Sequence, residues 1–192
     1  MKTVSQFIGQ FLLRPDVTGA IAPSSAALAE QITDWIDLRQ AGAVVEFGPG
    51  TGAFTGMIKK KISPQAIFFA VEINPYFVKV LQDKHPDVSV YHDCVENAHH
   101  YLKQHGVEQC DCIVSGLPWA AFSQELQECL LDSVYEVLKP GGQFVTFAYL
   151  QGLLLKSGRS FRHRLHNRFS EVTTSKIVWR NLPPAFVYQV TK

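Results

Sequence analysis

The sequence predicts an α/β fold, a mostly parallel sheet with helices on both faces and a reversed strand at its end. Three observations carry this expectation. Short apolar, β-rich runs alternate with helical stretches through the middle of the chain. A glycine-rich turn stands where the first of these runs becomes a helix. Beyond residue 149 the alternation gives way to two strands joined by a short Pro-rich turn.

Taken in order, strands are expected at 43–47, 66–71, 88–91, 110–115 and 143–149, each rich in Val, Ile, Phe or Tyr or bounded by turn residues. Helices are expected at 52–61, 75–84, 95–105 and 123–138. The last carries Leu126, Leu130, Val134 and Leu138 at helical spacing. A basic, helix-prone stretch at 150–169 leads to strands at 171–179 and 185–190, joined by Arg180, Asn181, Leu182, Pro183 and Pro184.

At 192 residues the chain is expected to form one domain, residues 1–192, with enough length to bury a core. It is 46% hydrophobic and 18% charged, which argues against disorder. A net charge of +1 points to no nucleic-acid or membrane partner, so any such partner must be read from local patches. Cys94, Cys110, Cys112 and Cys129 lack the spacing of a zinc site and read as reduced thiols, with Cys110 and Cys112 on one strand face. No metal is expected. No apolar run approaches the ~18 residues that span a bilayer, and the start lacks the plan of a signal peptide, so a soluble or peripheral cytoplasmic protein is expected.

The sharpest chemical signal is Glu46-Phe47-Gly48-Pro49-Gly50-Thr51-Gly52. Glycines at 48, 50 and 52 let the backbone turn tightly against a ligand. A carboxylate such as Glu46 would repel a pyrophosphate, but it suits the ammonium of a sulfonium-bearing methionine moiety. Glu72, ending the second strand, is placed for ribose hydroxyls. Ile73 would cover adenine, and Asp93, with Cys94 beside it, would take the adenine amino group. Each acid alone reads as a helix-start charge or cap. Their succession after three consecutive strands points to S-adenosylmethionine.

These residues resemble the class I methyltransferases. Glu46, Gly48, Gly50 and Gly52 match their first motif, and Leu138-Lys139-Pro140-Gly141-Gly142 matches the turn before their fifth strand. The resemblance implies a Rossmann-like, seven-stranded sheet with a reversed last strand.

The acceptor is read from Ser115-Gly116-Leu117-Pro118-Trp119 at the end of the fourth strand. Adenine amino methylases place a polar acceptor two residues before the proline. Gly116 stands there and offers none, while Ser115 is one step off and is assigned to the cofactor. Two flanking segments point to a lipid instead. Val4, Phe7, Ile8, Phe11 and Leu12 share a helical face bracketed by Lys2 and Arg14, a pattern that lies in a membrane interface or packs on the protein's own core. Lys156, Arg159, Arg162, Arg164 and Arg168 cluster without an acid, which suits anionic lipid, RNA phosphate or a solvated face.

With these features the chain resembles bacterial phospholipid N-methyltransferases and the related ornithine-lipid enzymes. The resemblance rests on Phe11-Leu-x-x-Pro15, Thr18-Gly19-Ala20-Ile21-Ala22-Pro23-Ser24-Ser25, Ser115-Gly116-Leu117-Pro118 and Val178-Trp179-Arg180-Asn181-Leu182-Pro183-Pro184-Ala185. It implies N-methylation of phosphatidylethanolamine or an ornithine lipid by a protein peripheral to the inner membrane face. Residues 1–35 are read as an amphipathic, cofactor-covering segment, and 150–169 as a basic insertion. The anionic surface would be met by 1–14 and 156–168, with no obligate protein partner.

For such a reaction Tyr149 is the first candidate to take the amine's proton, with His163 second. Trp119 and Phe122 would surround the alkylammonium. Gly116, Leu117 and Pro118 would border the acceptor, and Arg180 would meet a head-group anion. A nucleic-acid methyltransferase related to the ribosomal RNA adenine dimethylases is the alternative. A non-catalytic module keeping the cofactor fold is a third reading.

Overall fold

The computed structural model describes residues 24–192. The amphipathic stretch at 1–14 and the motif residues from Phe11 to Pro23 lie outside the described residues. Within them a seven-stranded sheet runs in the order β3-β2-β1-β4-β5-β7-β6. Strands β1 (Ala43–Phe47), β2 (Ile67–Glu72), β3 (Ser89–His92), β4 (Cys110–Ser115) and β5 (Leu138–Tyr149) are parallel to their neighbours in that set, and β7 (Ala185–Thr191) is antiparallel to both β5 and β6 (Glu171–Thr174). The expected mostly parallel sheet with its reversed strand is therefore present. The last two strands form the expected antiparallel pair, but β6 ends at Thr174 and a longer connection to β7 carries only an isolated bridge between Val178 and Ala185.

Local chemistry sets the helix starts. Ser25 caps α1 (Ala26–Asp34) by accepting from the Leu28 N–H, Asn74 caps α3 (Pro75–Lys84) with Pro75 in the first turn, and Ser123 caps α5 (Gln124–Val137). Between these lie α2 (Thr55–Lys61), α4 (Ala98–Gln104, preceded by a 3-10 turn at Val95–Asn97) and, after a second such turn at Leu150–Leu154, α6 (Lys156–Arg168). One sheet face buries Val44, Val114, Val145 and Val187 against Leu28, Ile32 and Ile58 of α1 and α2. The other buries Val45, Phe47, Ile113 and Phe144 against Leu102 of α4, Leu130 and Val134 of α5, and Phe161 and Leu165 of α6. These two apolar layers fix which side chains each strand can present at its end.

Cys110 and Cys112 depart from the expected shared face. Pairing of β4 with β5 shifts register between them, and Cys110 joins one core layer while Cys112 joins the other. An extra residue in a strand breaks its twofold alternation. Burial pushes the Cys112 and Cys94 thiols up to about 12 and Cys110 higher still, so they remain protonated packing groups.

Gln127 is the polar knot of the α5 layer. It is fully buried, and its amide donates to the carbonyls of Trp119 (2.8 Å), Phe122 (3.5 Å) and Ser157 (3.2 Å). Removing it takes these hydrogen bonds from a buried layer, a loss of about 2 kcal/mol. Gln127→Ala should therefore lower the free energy of unfolding by that much, read in urea as a lower midpoint at an unchanged denaturant slope.

Candidate active site

The site lies where the sheet order reverses, beyond the carboxyl ends of β1 and β4. Gly116 N–H donates to the Phe47 carbonyl at 2.8 Å, so the loops after these two strands run backbone against backbone. A Cβ on Gly116 would fall 2.3 Å from the Gly48 carbonyl oxygen, and Gly48 itself sits at φ 64° beneath Leu117. The open cavity above this seam has a volume of about 950 Å³ including its mouth.

Gly48, Gly50, Thr51, Glu72, Ile73, Asp93 and Cys94 line the cavity together with Gly116, Leu117 and Pro118. Glu72 is 3% exposed, and its carboxylate accepts from the N–H groups of Gly50 (3.1 Å) and Asn74 (2.9 Å). Burial raises its pKa, opposed by those hydrogen bonds. The carboxylate thus braces the glycine loop and still has lone pairs facing the cavity. Asp93 accepts from Tyr101 O–H (2.7 Å), Asn97 Nδ2 (2.9 Å) and its neighbour's N–H (2.7 Å). Desolvation works to raise its pKa, but those three donors prevail and hold it below the ordinary value. Ile73, Cys94, Val95 and Leu117 form apolar walls between these two acids.

Other expected site residues fall elsewhere. Glu46 does not front the loop. Strand alternation turns it with Val44 toward α2, where it is fully buried and accepts from Thr55 Oγ1 at 2.7 Å, leaving Oε1 without a partner. Burial first, and the charge of Glu72 second, push it up to about 8 against the Thr55 hydrogen bond. Gly52 lies behind the loop: at φ 78°, a Cβ there would reach 2.5 Å from Leu81 of α3. Ser115 is buried and outside the cavity lining, accepting from Leu117 N–H and Trp119 Nε1, so it shapes the acceptor turn.

The expected catalytic residues are placed away from the cavity lining. Trp119 is 2% exposed and stacks on Phe161 at 4.7 Å, which leaves no ring face for a cation. Phe122 is buried beside it. His163 is exposed on α6, hydrogen-bonded to Asn167. Arg180 is exposed in the connection to β7. Tyr149 stands one ring beyond the cavity, edge-on to the lining residue Phe147 at 5.3 Å. Burial raises its phenol above the ordinary value, so at neutral pH it is protonated, able to donate through its O–H and to accept through its oxygen.

Phe54, Phe147 and Ser24 line the cavity without having been singled out for it. Phe147 was legible as the alternate position to Tyr149 on one strand. Phe54 and Ser24 reach the site through the packing of α1 and α2, which no local pattern encodes.

The basic stretch divides as well. Arg164 pairs with Glu128, and Arg168 with Glu128 (3.3 Å) and Asp132 (2.6 Å), all on α5. These two arginines fasten α6 to the core. Lys156, Arg159 and Arg162 have no ion-pair partner among the described residues.

A methyltransferase domain family model matches residues 44–142. An ornithine lipid N-methyltransferase from Singulisphaera acidiphila is 32% identical over 191 residues, covering 98% of this chain and 95% of that protein. Among solved structures, an O-methyltransferase from Bacillus cereus in complex with SAH superposes with a TM-score of 0.66 at 11% identity, over 100% of this chain and 92% of that one. A SAM-dependent methyltransferase from Archaeoglobus fulgidus gives 0.63 at 16%, over 95% and 99%. At these identities the two structures speak for the fold.

Proposed function

This chain belongs to the methyltransferase domain family, and from that premise we propose that it methylates the amine of a membrane lipid with S-adenosylmethionine as donor. Within the donor site, Glu72 would hold the ribose hydroxyls, and Asp93 the adenine amino group between the walls of Ile73, Cys94 and Leu117. Cavity size, the two inward carboxylates and the apolar slot between them fit that group. Bound S-adenosylmethionine supplies an electrophilic methyl group on a sulfonium.

The protein's own task is to present a neutral amine. An alkylamine with a pKa of about 10.4 is almost wholly protonated at pH 7, a handicap of about 4–5 kcal/mol. Phe54, Phe147, Leu117 and Pro118 make the walls of the cavity apolar, which disfavours the ammonium form. Tyr149, one ring beyond the lining, would support Phe147 in that wall; its protonated phenol is not a base. Arg180 is kept as the partner of a head-group anion.

The observation that carries the lipid reading is the near full-length likeness to the ornithine lipid enzyme. The seam at Gly116 supports it, because the position that would hold an adenine-amino acceptor has no room for a side chain. An ornithine lipid is the favoured acceptor, with phosphatidylethanolamine next, and the reaction would take place at a membrane surface. Labelled S-adenosylmethionine should place label in ornithine-lipid or phosphatidylethanolamine vesicles and none in ribosomal RNA. Label in RNA alone would sink this reading.

A further inference from the structure

We propose that the edge of the molecule formed by the Leu150–Leu154 turn and the connection from 175 to 184 inserts into an anionic lipid bilayer, with Trp179 and Leu182 entering first. The inference rests on the lipid reading above and says which surface meets the membrane. Among the described residues, four of the six large apolar side chains that stand exposed lie here: Leu154 (78%), Leu155 (53%), Trp179 (69%) and Leu182 (82%). Single exposed apolar residues are ordinary, whereas four gathered at one edge are not.

The fold brings the two segments together. Tyr149 pairs with Ala185, and Leu150 N–H donates to the Pro184 carbonyl at 2.9 Å. Asn181 Oδ1 accepts from the Ser25 N–H at 2.9 Å, next to Ser24 in the cavity lining. The exposed apolar tip therefore adjoins the cavity mouth, at the end of the sheet where the parallel strands finish. A lipid entering from a bilayer would present its head group there.

Charge selects the occupant. Lys156, Arg159 and Arg180 flank these apolar residues, have no ion-pair partner among the described residues, and face no acid in 150–170 or 175–185. Protruding apolar side chains ringed by unpaired cations fit an anionic bilayer. A protein partner would need acids and a complementary groove of its own, and that outcome is left to the test.

Vesicles of phosphatidylethanolamine and phosphatidylglycerol, some carrying brominated acyl chains, provide the probe. Trp179 emission should shift to the blue and be quenched by the brominated chains, and both signals should vanish in Trp179→Phe. Trp179→Ala with Leu182→Ser should weaken sedimentation with these vesicles by about 100-fold, the burial of two large side chains. The same variant should methylate a short-chain lipid amine, dispersed below its micelle concentration, at the wild-type rate. Vesicle binding unchanged in the double variant, or Trp179 left unquenched on bound protein, would overturn the proposal. If the wild type methylates no lipid amine in either form, the functional reading fails while the insertion measurement still stands or falls by itself.

Discussion

Gly116→Asn should abolish donor binding and destabilise the fold by about 3 kcal/mol. The expected effect is large because the neighbour is backbone. A Cβ at 116 meets the Gly48 carbonyl oxygen at 2.3 Å, and neither atom belongs to a side chain that can rotate away. Overpacking of a rigid site costs about 1–3 kcal/mol where the surroundings relax by shifting. Here the shift must displace the glycine loop that Glu72 braces through Gly50 N–H. Thermal unfolding should report the stability loss and titration calorimetry the loss of donor affinity. A variant that binds donor like the wild type would show that the two loops are free to separate. An asparagine here supplies the polar group of an adenine amino methylase, yet the variant should not acquire that activity, because the seam opens before the side chain can be presented.

The second large effect concerns pH. Glu46 has a folded-state pKa of about 8 against an ordinary 4.5, with burial as the leading cause. The folded protein therefore holds a proton that the unfolded chain releases above pH 4.5. The stabilising contribution is complete below that value and is lost as pH rises toward 8, at about 1.4 kcal/mol per pH unit. Glu72 is raised as well and adds to the same slope. Glu46→Gln should match the wild type near pH 4 and exceed it at pH 9 by roughly 5 kcal/mol. Urea unfolding followed across pH 4 to 9 for both proteins measures this difference. Identical stability profiles for wild type and Glu46→Gln would show that the carboxyl is ionised throughout.

Much of the fold was legible because its signals are local and repeated. Alternating strands and helices, the glycine turn and the acids at the ends of β2 and β3 each follow from short-range patterning, and Glu72 and Asp93 stand in the cavity where their strand positions put them. The misplaced residues share a different cause. Glu46 was read by its nearness to the loop, although position 46 alternates with Val44 and faces α2. Cys110 and Cys112 were read by a twofold period that a register shift interrupts. Trp119 was read as an aromatic next to a ligand loop, but a 3-10 turn at Trp119–Ala121 swings the indole inward onto Phe161. The five cations at 156–168 looked alike until α5 supplied acids for two of them. Each depends on a partner distant in sequence.

The strand order β5-β7-β6 also constrains the sequence of assembly. Strand β6 precedes β7 in the chain but touches the sheet only through it, while β7 lies between β6 and β5. Docking of β6 onto the sheet is therefore contingent on a segment that follows it in the chain. Its amides should exchange with solvent no more slowly than those of β7. The parallel layer around the glycine loop can then be complete before this outer edge has closed.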